Sequence, residues 1–129
     1  MNPASSDAQA LLEALPHAAW LVALDSRVVT AANAQAGALF GRNAAALLGT
    51  PAEQLATSPE DLAWWAAAAA GDHSALDSET VLACANGLTL HARRSIKRLA
   101  APPGCAAQVL VSVLDLSARQ RIEDRKSVV

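Results

Sequence analysis

A chain of 129 residues, 53% of them hydrophobic, is long enough for one domain with a proper apolar core and too short for two. A formal net charge of −2, with the basic residues split between two clusters, gives no electrostatic case for nucleic acid. Cys84 and Cys105 are too few for a disulfide framework and lack metal-ligand spacing, so they read as ordinary thiols in a reducing compartment. The start, MNPASSDAQA, has neither the basic nor the greasy segment of a leader. The longest apolar run, residues 62–70, falls far short of the roughly twenty that span a bilayer. A cytoplasmic domain is expected, touching neither nucleic acid nor membrane directly.

In chain order, Ser6 followed three residues later by Gln9 fits a capping box, and Leu11, Leu12 and Leu15 fall along one side of a helix that Pro16 closes. That side needs a partner, either the domain's own sheet or the same helix of a second copy. Residues 19–24, with Trp20, Val22 and Leu24 alternating, read as a strand; Asp25, Ser26 and Arg27 turn the chain, and residues 28–32 complete a hairpin. Two short helices then run end to end from Asn33 to Gly49. Asn33 and Asn43 are N-caps, while Gly41 and Gly49 supply left-handed stops. Helices so short do not hold themselves up in water, so Leu39, Phe40, Leu47 and Leu48 are expected to anchor them. Thr50-Pro51-Ala52-Glu53 announces another helical turn ending near Ala56. Ser58 as cap, Pro59 at the first position, and Glu60 and Asp61 near the positive end of the dipole open a helix over residues 62–70, stopped at Gly71. Trp64 and Trp65 are adjacent, about a hundred degrees apart, so only one is expected to face the core squarely.

Residues 79–85 and 88–99 read as strands joined by a two-residue turn, Asn86-Gly87. On the second, Leu90, Ala92 and Ile96 share a face with Arg94, whereas His91, Arg93, Ser95 and Lys97 share the other. Arg93, Lys97 and Arg98 are most simply a solvated face or edge protection. A last strand, residues 108–114, sets valines 109, 111 and 113 against Leu110 and Leu114, and apolar character on both faces marks it as central. Residues 116–126, LSARQRIEDRK, form a charged helix that points out of the domain. The order predicts an α+β fold: a five-stranded antiparallel sheet with short helices packed on one face, an N-terminal lead-in helix and a C-terminal exit helix.

Three segments carry a family likeness: residues 28–55, VVTAANAQAGALFGRNAAALLGTPAEQL; the Asn86-Gly87 hairpin; and residues 113–125, VLDLSARQRIEDR. In this order and spacing the chain resembles a PAS domain over roughly residues 11–125. The resemblance implies that Asn33 is the family's structural asparagine and Asp115 the acid ending its exit strand. It divides the chain into an N-terminal dimerisation cap at 1–17, a PAS core at 18–116 and the start of a signalling helix at 117–129. Ser26 departs from the pattern at a usual turn glycine, and Ser117 and Ala118 stand in the Thr and Glu places of the exit motif.

PAS domains hold haem, flavin or small organic ligands between sheet and helices, which makes Trp20, Phe40, Trp64, His73 and Arg94 the candidate cofactor-binding residues. His73 lies just after the long helix, where haem sensors take an axial histidine; beside Asp72 and past the Gly71 stop, it reads more simply as an exposed loop residue. Covalent haem is excluded because C-x-x-C-H is absent. Light, oxygen and voltage photochemistry needs a cysteine in an Asn-Cys-Arg-Phe-Leu-Gln stretch, which this chain lacks. Non-covalent FAD would rest on Trp20, Trp64 or Trp65, more simply packing residues, and Cys84 among Leu82 and Ala85 reads as a small hydrophobe. An empty ligand site is the plain expectation, with no metal. Arg94 on the face of Leu90, Ala92 and Ile96 must be paired or meet an anionic ligand; the commoner outcome is a slip or bulge that turns it to solvent.

Nucleophile elbow, phosphate loop and carboxylate pair are all missing, so no enzyme is expected. The resemblance implies a homodimeric sensory input domain of a cytoplasmic bacterial-type signalling protein such as a sensor histidine kinase, with an effector after the exit helix. The alternative is a ligand-free dimerisation module, for instance of a transcriptional regulator, in which the leading helix holds two copies together.

Overall fold

Alternating apolar faces in five segments close into one antiparallel sheet, which the computed structural model places in the order β2-β1-β5-β4-β3. It describes residues 3–55, 58–71, 74–83, 87, 89–99 and 107–116. The strands are β1 (Ala18–Ala23), β2 (Val29–Ala32), β3 (Leu76–Ala83), β4 (Thr89–Leu99) and β5 (Gln108–Asp115). Between β2 and β3 lie α2 (Ala34–Leu39), α3 (Ala44–Leu47), a 3-10 turn (Ala52–Leu55) and α4 (Pro59–Ala69); α1 (Pro3–Glu13) leads. β5 is central, and Val109, Val111 and Val113 are buried beneath the helices. β3 begins at Leu76, three residues before the expected start at Glu79. The exit helix, Cys84, Cys105, Asn86 and His73 lie outside the described residues; Gly87, in the hairpin, has a φ of +73°.

The short helices pack on one face of the sheet, and α1 covers part of the other. Trp20, Val22, Val29, Leu82, Ala92 and Ile96 face α2, α3 and α4, while Ala19, Leu21 and Ala31 face away and are buried under Leu12 of α1. The lead-in helix therefore finds its partner in its own sheet. Leu12 is buried and Leu15 half-buried, but Leu11 is 70% exposed and does not belong to the packed side. Ser6 lies inside α1, so the capping-box reading fails; Gln9 acts instead as a clasp. Its side-chain amide donates to the Ala32 carbonyl at 2.6 Å and accepts from the Ala32 N–H at 3.3 Å, and Glu13 accepts from the Ala34 N–H at 3.1 Å.

The short helices follow their punctuation with two corrections. Asn33 caps α2, whereas Asn43 occupies the cap of α3 without a side-chain bond. Leu47 is fully buried, but the end of α3 turns Leu48 outward, 48% exposed, so one leucine anchors this helix. At the β1–β2 turn the left-handed residue is Arg27, φ +58°, one place beyond Ser26. Gly37 is buried inside α2, where a Cβ would lie 2.4 Å from the Arg42 carbonyl oxygen and 2.8 Å from the Ala44 N. Alanine favours a helix interior by about 1 kcal/mol over glycine, yet backbone has no room to yield. Gly37→Ala is expected to destabilise by about 2 kcal/mol net, read as a lower urea midpoint; an unchanged or higher midpoint would show that α2 and α3 can separate.

In α4 the sequence grammar holds: Ser58 is the N-cap, its Oγ accepting from the Asp61 N–H, and Pro59 fills the first turn. Both tryptophans are buried, not one. Their rings meet edge to face, centroids 4.9 Å apart at 86°, so each covers the other where the helix alone would splay them.

Candidate functional site

β4 keeps strict alternation, with Ala92, Arg94 and Ile96 all essentially inaccessible, so Arg94 is inside the domain and the expected turn to solvent does not occur. Its guanidinium is met from two sides. From the first turn of α4, Ser58 Oγ accepts from Nη1 at 3.2 Å, Asp61 Oδ1 accepts from Nη1, and Glu60 Oε1 accepts from Nη2 at 2.8 Å. From β3, Ser78 Oγ accepts from Nη2 at 2.8 Å and its hydroxyl donates to Glu60 Oε1 at 3.0 Å. Among the described residues the buried Arg94 Nε has no hydrogen-bond partner. Arg94 is thus paired with two carboxylates of α4, one buried and one half in solvent.

The Arg94 guanidinium and then the Ser78 hydroxyl hold the Glu60 carboxyl below its usual range, and on the outer face Arg93 does the same for Asp77 at 2.8 Å. Depressed carboxylates contribute stability that is complete above their unfolded pKa, about 4, and is lost as pH falls through the lower folded value. Stability should therefore be flat with respect to these groups from pH 8 to 6 and decline below about 4, with the decline reduced in Glu60→Gln. A steep loss between pH 7 and 5 would place the titrating groups elsewhere.

Trp20, Phe40, Trp64 and Arg94 all lie on the helix side of the sheet. Trp20 and Phe40 meet edge to face at 5.5 Å and 75°, and the Trp64 indole N–H donates to the Ser74 carbonyl at 2.5 Å. Among the described residues no three His, Cys, Asp or Glu side chains converge as a metal site would need, and no helix is long and apolar enough to cross a membrane.

A second buried polar centre organises the opposite end. Asn33, 2% exposed, accepts from the Ala19 N–H at 3.1 Å and the Ala36 N–H at 2.9 Å, and donates to the carbonyls of Leu12 at 2.9 Å and His17 at 2.8 Å. All side-chain capacity of one residue is spent joining α1, β1 and α2. Gly49, φ +81°, lets the chain return along β2, its N–H donating to the Val29 carbonyl at 2.8 Å. Asp115 ends β5, and the next N–H, of Leu116, donates to the His91 carbonyl at 2.9 Å.

A family model described as "PAS fold" matches residues 12–121. The chain belongs to the PAS fold family. No curated protein sequence matches it. Among solved structures it is similar to the PAS domain of BvgS from Bordetella pertussis, with a TM-score of 0.64 and 13% identity over 95% of this chain and 96% of that one. It is also similar to the PAS domain of nitrogen regulation protein NR(II) from Vibrio parahaemolyticus, TM-score 0.61 and 16% identity over 89% and 99% of the two chains. A third likeness is to a LOV protein from Rhodobacter sphaeroides, TM-score 0.63 and 18% identity over 86% and 66%.

Within this PAS fold the sequence pointed to Arg94 and Asn33 but not to their partners. Glu60 and Asp61 carried a sufficient local explanation as acids at a helix N-terminus, and Ser78 carried no signal at all. The available clue was the unmatched arginine itself, since a buried guanidinium demands acids from another element.

Proposed function

We propose that this PAS domain is the signal-input module of a cytoplasmic bacterial-type signalling protein, such as a sensor histidine kinase, and acts as a homodimer. The observation that carries this reading is the position of β5. It lies in the middle of the sheet, hydrogen-bonded to β1 and β4, with Val109, Val111 and Val113 against the helix layer, and the chain leaves the sheet from its end at Asp115. A displacement in the helix layer can reach β5 through the apolar core that Val109, Val111 and Val113 share with it, and through β5 whatever follows. The likeness to PAS domains of BvgS and NR(II) is consistent with a module inside larger signalling proteins. Regulation, not catalysis, is the role assigned to this chain; any kinase or other effector activity would belong to a separate domain.

The second reading is a ligand-free dimerisation module, and one observation favours it. Leu11 on α1 is exposed on the outer side of the sheet, where Val81 and Leu114 are exposed as well. An absorption spectrum of freshly purified protein, followed by mass spectrometry of what denaturation releases, separates the two. A released haem, flavin or small molecule supports ligand sensing; a colourless dimer that releases nothing and loses dimerisation in Leu11→Glu supports the module. A colourless monomer overturns both.

A further inference from the structure

Arg94 joins the first turn of α4 to the middle of β4, and β4 lies between β3 and the exit strand β5. Within the sheet Arg94 stands opposite Ser78 on one side and Val113 on the other, so the cluster and the exit strand share one rung. The remainder of the buried face of α4 is Trp64, Trp65 and Ala68. Apolar contacts are non-directional and let a helix slide; charge-assisted hydrogen bonds fix a position. We infer that the Arg94–Asp61–Glu60–Ser58–Ser78 cluster is a latch that makes α4 and the β3–β4–β5 half of the sheet open as one unit. A shift of the helix is then carried to the exit strand and not absorbed at the boundary between the layers.

Two features distinguish a latch from static packing. Carboxylates on consecutive residues share one guanidinium, Asp61 buried and Glu60 with half its side chain in solvent. Arg94 Nε is a buried donor that finds no acceptor among the described residues. A fork of Nε and one Nη fits a carboxylate as well as two Nη groups do, so the cluster has a second pairing in which α4 turns and hydrogen bonds are exchanged, not lost. Coupling between sites needs such an element with two discrete arrangements. The use of the latch in signalling rests on the signal-input reading; the mechanical coupling does not.

Amide hydrogen exchange of the whole chain, read by NMR over α4 and β5, tests this in the wild type and in Asp61→Leu/Arg94→Met. The double variant replaces the ion pair with apolar side chains of similar size, an exchange that buried pairs tolerate; if it does not fold, Asp61→Asn is judged by the same criteria. In the wild type the slowest amides of α4 and β5 should have protection factors within about threefold of each other. In the variant α4 should exchange at least about tenfold faster than β5, whose protection holds. Helix amides already about tenfold faster than β5 in the wild type, or still matched to it in the variant, would overturn the latch. Both results leave the released-ligand measurement untouched, so failure here is distinct from failure of the signal-input reading.

Discussion

Replacing Arg94 with alanine should lower the unfolding free energy by about 3–5 kcal/mol, the range found when one partner of a buried ion pair is removed. Most domains have only about 5–15 kcal/mol in total, so the variant would stand near the edge of folding. The cost comes less from lost attraction than from what stays behind. Asp61, 3% exposed, keeps its carboxyl in the interior without the guanidinium, and Glu60 and Ser78 lose the donor that aligned them. The pH response separates this from simple loss of packing. Arg94 holds the Glu60 carboxyl down in the wild type, so part of its stability is lost as pH falls below about 4. The variant lacks that guanidinium, and its acid-side loss should be smaller. Urea titrations followed by tryptophan fluorescence between about pH 7 and 3 read both. A loss under about 1 kcal/mol, with an unchanged acid-side slope, would mean that the arginine is effectively solvated.

The two polar centres differ in how far they could be read from sequence, for a physical reason. Asn33 announces itself through local grammar, because a cap bonds to an N–H three residues on and needs no tertiary knowledge. Its bonds to Leu12 and His17 reach back across a strand and carry no local trace. The cluster at Arg94 spans 36 residues between Ser58 and its arginine, and alternation along β4 supplied the arginine's direction but not its company. Base expectation favoured solvent for a charged side chain, and Asp61 and Glu60 of α4 reversed it. Exposure of Leu11 and Leu48 shows the same limit from the apolar side. A run of leucines fixes that a helix is amphipathic, while which leucine is spare depends on where the sheet lies. The packing of α1 on its own sheet escaped for that reason too, since α1 had two possible partners and periodicity alone does not choose between them.

Asn33→Ala is expected to cost about 3 kcal/mol, the loss of a cap together with buried groups left unpaired. Its informative companion is Asn33→Asp. Aspartate keeps the acceptor that serves Ala19 and Ala36, so the cap of α2 and the tie to β1 persist. What it removes is donation, and it sets an oxygen against the carbonyls of Leu12 and His17, both within 2.9 Å of the present amide nitrogen. Asn33→Asp should therefore release α1 selectively. Exchange at the last turn of α1 would quicken by about tenfold or more while α2 stays protected, whereas Asn33→Ala should loosen both. Protonation restores one donor, so lowering the pH should return part of the α1 protection in the aspartate variant and none in the alanine variant. Equal loosening of α1 and α2 in both variants would mean that the asparagine acts through shape, and that α1 is held on the sheet by Leu12 and Gln9 instead.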